Sequence, residues 1–261
     1  MYNDLFTIFG RTVHGYGLMV GVGIVAHLLL SWRRAKARGL SDEEVTSLSI
    51  WVLLIGFLGA KLLFLLTELP QVLRDPLPYL GSEGFVVYGG LLSGLLTIYL
   101  WCRSKGRSFL RWLELLLPGV ALAQGFGRIG CFLAGCCYGR ETGSRLGVVF
   151  PEGSLAPAGV PLLPTQLFSS AGDFLLCAAL LLLERRRPRE GSMTAAYMLL
   201  YGAGRFAVEF LRSDPRGSVG SLSTSQFISL FILAAGTLLA FSLRRKPGAG
   251  GVADKSSSRF R

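Results

Sequence analysis

Seven apolar stretches constrain what this chain can fold into. They run from 15 to 32, 47 to 67, 85 to 101, 113 to 135, 165 to 183, 194 to 211 and 224 to 243. Each has about the 17 to 25 residues that a helix needs to cross the hydrocarbon core of a bilayer. A membrane β-barrel would alternate apolar and polar residues, which runs such as 48–66 and 174–183 do not. Composition agrees, with 51% hydrophobic and only 16% charged residues. The expected fold is an all-α membrane protein, a polytopic bundle of about seven transmembrane helices over 1–243, followed by a basic tail at 244–261 that is expected to be disordered. Residues 1–9 lack a basic stretch and no small-residue cleavage site follows the first apolar run, so that run is expected to be retained.

A net charge of +11 raises the question of nucleic acid. The placement of the basic residues answers it. Arg33, Arg34, Lys36 and Arg38 follow the first stretch, Arg103, Lys105, Arg107 and Arg111 the third, Arg185, Arg186, Arg187 and Arg189 the fifth, and six more lie from Arg244 onward. The opposite side holds fewer, namely Arg11, Arg74, Arg140, Arg145, Arg212 and Arg216. By the positive-inside rule the N-terminus is expected outside and the C-terminus in the cytoplasm. The basic excess reads as topology and attraction to anionic membrane lipids, with no nucleic-acid partner.

Three cations fall inside the apolar stretches: Lys61, Arg128 and Arg205. A cation at that depth costs about 2.5–3.5 kcal/mol on insertion scales, so it faces a polar cavity or has a partner. In the sixth stretch Tyr201, Arg205, Glu209 and Arg212 recur every three or four residues and would form one polar stripe on a helix, with Glu209 neutralising Arg205 or Arg212. A charged packing seam would look the same, but with Arg128 near the same face an anion site is expected. Gly89, Gly90 and Gly94 in the third stretch, and Gly127, Gly130, Gly135 and Gly139 around Arg128, would let backbones approach or expose amides to an anion.

Cysteines 131, 136 and 137 form the pattern C-x4-C-C within GRIGCFLAGCCYGR. Structural zinc sites pair cysteines with a second ligand pair, so no metal is expected. Redox chemistry is a second reading. The blander one is small apolar residues packed between helices, since a 131–136 pairing would need the helix to break between them. His14, at the outer end of the first stretch, is either a base or an interfacial anchor, and His27 is expected in the core.

HGYGL at 14–18, GFLGAKL at 56–62, YGGLLSG at 88–94, LPTQLF at 163–168 and YGAGRFAVEFLR at 201–212 resemble, in order and spacing, motifs of bacterial prolipoprotein diacylglyceryl transferases. Residues 127–140 are similar to that family's signature G-R-x-G-N-F-x-N-G-E-x-x-G-R. The resemblance implies transfer of a diacylglyceryl group from phosphatidylglycerol to the lipobox cysteine thiol of a preprolipoprotein signal peptide, without a cofactor, in the bacterial inner membrane. It further implies that Arg128 and Arg205 hold the phosphate, that Glu209 orients an arginine and that Tyr88 offers a hydroxyl. Tyr16, Gly89, Gly90, Gly130, Tyr201 and Arg212 would complete the substrate site, at a place expected between the third, fourth and sixth stretches. The chain departs from the pattern at Cys131 and Ala134 for asparagines, Cys136 for a glutamate and Tyr88 for a histidine. Two alternatives stand beside this reading: a thiol-disulfide membrane oxidoreductase using Cys131, Cys136 and Cys137, and a non-catalytic lipid-binding paralogue.

Overall fold

The computed structural model describes residues 4–8, 11–81, 84–214 and 217–245. Arg216 and all of the tail beyond Arg245 lie outside the described residues. A hairpin of β1 (Asp4–Ile8) and β2 (Arg11–His14) leads into α1 (Gly15–Ala37) and α2 (Asp42–Thr67). Two short helices, α3 (Leu69–Val72) and α4 (Pro76–Gly81), precede α5 (Val87–Ser104) and α6 (Phe109–Ala134). After the ribbon of β3 (Val148–Val149) and β4 (Pro161–Leu162) come α7 (Thr165–Arg185) and α8 (Ser192–Glu209). A last ribbon, β5 (Ser218–Val219) with β6 (Leu222–Ser223), opens into α9 (Thr224–Arg245).

Among the described residues, seven long helices coincide with the seven apolar stretches. Among the described residues, α1, α2, α6, α7 and α9 are long and apolar enough to cross a membrane. The other two, α5 and α8, have 18 residues each, about 27 Å of helix, and α8 gives up part of its apolar length to Arg205 and Glu209. Large apolar side chains face outward on the bundle surface, among them Leu54, Phe57, Leu58 and Leu62 of α2. An outward apolar face suits lipid rather than water.

Helix ends follow from local chemistry. The Ser41 side chain accepts from the amides of Glu43 and Glu44 at 3.2 and 3.5 Å to start α2, with Asp42, Glu43 and Glu44 in the first turn against the positive end of the helix dipole. Ser108 caps α6 in the same way through the amide of Arg111. Gly135 ends α6 at φ 75°, a left-handed conformation that glycine adopts without steric cost.

Helix α6 is the centre of the bundle. It packs against α1 on one side and α7 on the other, α7 meets α8, α8 meets α9, and α2 pairs with α5. Pro118 sits inside α6 and has no N–H to give to the Glu114 carbonyl one turn back. Arg34 of α1 supplies the missing donor: its guanidinium reaches the Glu114 carbonyl at 3.0 Å, and it also donates to the carbonyl of Leu115. The same guanidinium pairs with Glu184 of α7 at 2.8 Å, where Arg38 joins it. The carboxylate of Glu114 in turn accepts from the amides of Met193 and Thr194 at 2.8 and 3.2 Å. It thereby caps α8, whose own N-cap, Gly191, has no side chain to do so. Arg34, counted in the sequence as a topology charge, is thus a buried tie between α1, α6 and α7, 6% exposed.

Lys61 proves to be structural too, donating to the carbonyl of Tyr79 at 2.8 Å and lying 5.0 Å from the Phe64 ring centre. His27 packs against Gly119, where a methyl group would have no room.

Removing one partner of a buried pair costs about 3–5 kcal/mol. Arg34→Ala is expected to lose that much against chemical denaturation in detergent, while Arg33→Ala, at a less buried neighbour, changes little; equal stability of both variants would contradict the tie.

Candidate active site

The end of the bundle opposite this tie holds a cavity of ≈ 290 Å³ between α6, α7 and α8. Its polar pole is made by Arg128 of α6, Asp173 of α7, and Tyr201 and Arg205 of α8. Its wall is apolar, with Leu175, Leu176, Leu200 and Val208. Leu175 is 71% and Leu200 52% exposed on the outer face. The cavity therefore opens sideways, between α7 and α8, toward the apolar surroundings of the bundle.

Arg205 is held on both sides. It pairs with Glu209 one helical turn on, at 2.7 Å, and donates to the Ser225 hydroxyl of α9 at 2.6 Å. Glu209 is buried and does not line the cavity, so its place is behind the arginine. Tyr201 stacks on Tyr197 with ring centres 5.5 Å apart, and Tyr197 donates to Gln124 of α6 at 2.8 Å, which fixes the tyrosine pair against the central helix. Arg128 differs. No ion pair or hydrogen bond joins it to another described residue, and its charge faces Cys131, Tyr201, Cys137 and Asp173.

Three expectations change on contact with the geometry. Arg212 is not on the α8 stripe, because the helix ends at Glu209 and the chain turns to bridge Gly139. Its guanidinium instead grips Asp214 through two bonds of 3.0 and 3.1 Å. Burial lifts the Asp214 carboxyl above the usual range even against that charge. Gly89 and Gly90 serve the contact of α5 with α2, where a methyl group at 89 would strike the Gly59 backbone and one at 90 would meet the Gly56 carbonyl at 3.0 Å. Gly130 does the same for α6 on α1, against Tyr16. The cavity thus lies between the fourth, fifth and sixth stretches rather than the third, fourth and sixth. Tyr88, at the start of α5, is not part of its lining but is close enough to act electrostatically on Tyr201. Tyr16, at the start of α1, faces the three cysteines and Arg128. His14 sits on the exposed hairpin, 2.7 Å from Asp4.

Asp173 is the residue that the sequence reading passed over. It is a carboxylate within the apolar run 171–183, and an intramembrane acid is by itself a functional signal. It lies within electrostatic reach of both Arg128 and Arg205.

The loop after α6 is built around the cysteines. The helix breaks at Gly135, and Cys137 follows at φ 63°. Thr165 and Gln166 of the LPTQLF segment donate to the carbonyls of Cys137 and Cys136 at 2.8 and 2.7 Å. The Gly139 amide donates to the Leu163 carbonyl at 2.9 Å, and the Leu163 amide donates to the Arg140 carbonyl at 3.0 Å. The motif that looked like a separate feature of the sequence is what holds the signature turn in place.

Fold and site together define a multi-pass helical membrane protein with a cationic, laterally open cavity inside the bundle. The prolipoprotein diacylglyceryl transferase family matches residues 3–242, and the chain belongs to that family. It is 49% identical over 234 residues to phosphatidylglycerol–prolipoprotein diacylglyceryl transferase 2 of Clostridium perfringens (strain 13 / Type A), covering 89% of this chain and 91% of the relative. It is 45% identical over 243 residues to the phosphatidylglycerol–prolipoprotein diacylglyceryl transferase of Clostridium tetani (strain Massachusetts / E88), covering 92% and 97%. The transferase of Finegoldia magna (strain ATCC 29328 / DSM 20472 / WAL 2508) is 30% identical over 244 residues, or 92% and 95% of the two chains. With its apolar helices, this membership makes the chain a multi-pass protein of the bacterial inner membrane.

Proposed function

We propose that the protein transfers the diacylglyceryl group of phosphatidylglycerol to the lipobox cysteine thiol of a preprolipoprotein signal peptide, forming a thioether and releasing glycerol phosphate. The observation that carries this reading is Arg128, a cation with no ion pair among the described residues, facing an amphipathic cavity that Arg205 also lines. A half-buried guanidinium at that depth, with no ion pair among the described residues, calls for an anion. A phospholipid headgroup meets it from the lateral opening, with the acyl chains against Leu175 and Leu200.

In this reading the phosphate lies between Arg128 and Arg205, whose planar donors match its oxygens. Both stay fixed while negative charge grows on the leaving phosphate, as the bond between the glyceryl carbon and the ester oxygen breaks. Glu209 and Ser225 keep Arg205 aimed. A thiol with an ordinary pKa of about 8.5 is only a few per cent thiolate at neutral pH. Asp173, in the same pocket, takes its proton, and the thiolate sulfur attacks the glyceryl carbon. Tyr201 hydrogen-bonds the headgroup, with Tyr88 of α5 within electrostatic reach of Tyr201 and Tyr16 of α1 within that of Arg128. Arg212, Gly89, Gly90 and Gly130 act by shaping the surroundings. The N-terminus lies outside and the C-terminus in the cytoplasm, which puts the cavity on the outer side, where signal-peptide cysteines emerge.

Mass spectrometry of a lipobox peptide incubated with the purified protein and phosphatidylglycerol tests this. The peptide cysteine is expected to gain a diacylglyceryl group, and Arg128→Ala and Arg205→Ala to slow the reaction by about 10² to 10³-fold. No gain with folded wild-type protein would leave the lipid-binding reading, and dependence on the cysteines instead of the arginines would leave the redox one.

Asp173→Asn is expected to lower kcat by about 10² to 10⁴-fold, the range for a lost general base, and to flatten the acid limb of the pH–rate profile. Tyr88→Phe is expected to cost less than about tenfold, the net worth of an ordinary hydrogen bond. The reverse order of effects would place the base on α5.

A further inference from the structure

The three cysteines of the signature converge although their spacing argues against it. Helix α6 carries Cys131 on its last turn, breaks at Gly135, and returns Cys136 and Cys137 so that the three sulfur atoms lie within 4.8 Å of one another. Cys137 holds a left-handed φ of 63° that a residue with a Cβ rarely adopts. The bonds from Thr165 and Gln166 to the two cysteine carbonyls keep the turn in that form. None of the three is in a disulfide. Two of them stand where the family pattern has asparagine and glutamate, so the cluster is a feature of this chain and not of the pattern it resembles.

We propose that Cys131, Cys136 and Cys137 form a three-thiolate site for one soft monovalent metal ion, copper(I). The geometry is close to what such an ion needs: three sulfurs at ~2.3 Å around a trigonal ion are about 4 Å apart, a small adjustment from the separations present. The donor set is three soft sulfurs, and no histidine or carboxylate joins the group among the described residues. Zinc favours a fourth ligand, while a set of three soft thiolates suits the lower coordination number of copper(I). The charges agree as well. Three thiolates around a monovalent ion carry excess negative charge, and Arg128 and Arg212, the latter gripped by Asp214, both act on Cys137. Tyr16 and Asp214 are the other ionisable groups facing the cluster among the described residues. Binding deprotonates the thiols and releases their protons to solvent, with no change in oxidation state. The inference does not depend on the transferase reading, because its readout is bound metal.

The test uses the full chain in detergent, reduced and under anaerobic conditions, titrated with copper(I) against a chromophoric copper(I) chelator. One tightly held ion per chain is expected, with sulfur-to-copper charge-transfer absorption, lost in Cys131→Ser and Cys137→Ser and retained in Cys102→Ser. X-ray absorption on the copper-loaded wild type is expected to show three sulfur ligands, a readout that holds even where a serine variant folds poorly. Copper held equally by wild type and serine variants, a nitrogen or oxygen shell, or displacement of copper(I) by equimolar zinc(II) would overturn the proposal.

Discussion

Arg34 and Pro118 together decide how the bundle is assembled. A proline in the middle of the central helix leaves a carbonyl without its helical donor, and a guanidinium from α1 fills the gap while binding Glu184 of α7. Glu114, whose carbonyl is the one left open, sends its carboxylate to cap α8. Four helices are therefore fixed in register by a polar knot in which each buried group is satisfied by another, the condition under which buried charge is tolerated. The cavity at the opposite end inherits its shape from this. Arg128, Asp173 and Arg205 come from three different helices and line one cavity.

The cavity combines two chemistries that rarely share a space. One pole has two guanidiniums and a carboxylate, and the wall beside it is leucine and valine open to the side. A soluble phosphate ester would satisfy the first and leave the second unused. A phospholipid uses both, and a cationic pole set among apolar walls stabilises phosphate more strongly than the same groups would in water. Glu209 and Ser225 give Arg205 a carboxylate and a hydroxyl behind it, so the protein itself fixes the orientation of the guanidinium.

Much of this was legible in the sequence. The long apolar runs marked the helices because bilayer thickness dictates their length, and Arg128, Arg205 and Glu209 stood out because charge at that depth needs a reason. Asp173 was passed over although the same argument applied to it. Arg34 read as a topology charge because the groups that bury it lie 80 or more residues away along the chain, and one sequence says nothing of such pairings. Arg212 was assigned to the α8 stripe on helical periodicity, which fails once the helix stops at Glu209. The cysteines were read by linear spacing, yet a glycine stop in α6 brings them together in a way spacing does not reveal. The glycines at 89, 90 and 130 were expected to let backbones approach or to offer amides to an anion, and their neighbours show the close helix contact.

The central claim is that the phosphate of the donor lipid lies between α6 and α8. An experimental structure of the protein with phosphatidylglycerol, in a nanodisc, tests it most directly. The account predicts the phosphorus flanked by the guanidiniums of Arg128 and Arg205, with the glyceryl carbon toward Asp173 and the acyl chains leaving between α7 and α8. A headgroup seated elsewhere, for example against α2 and α5, with Arg128 and Arg205 far from any phosphate, would contradict it.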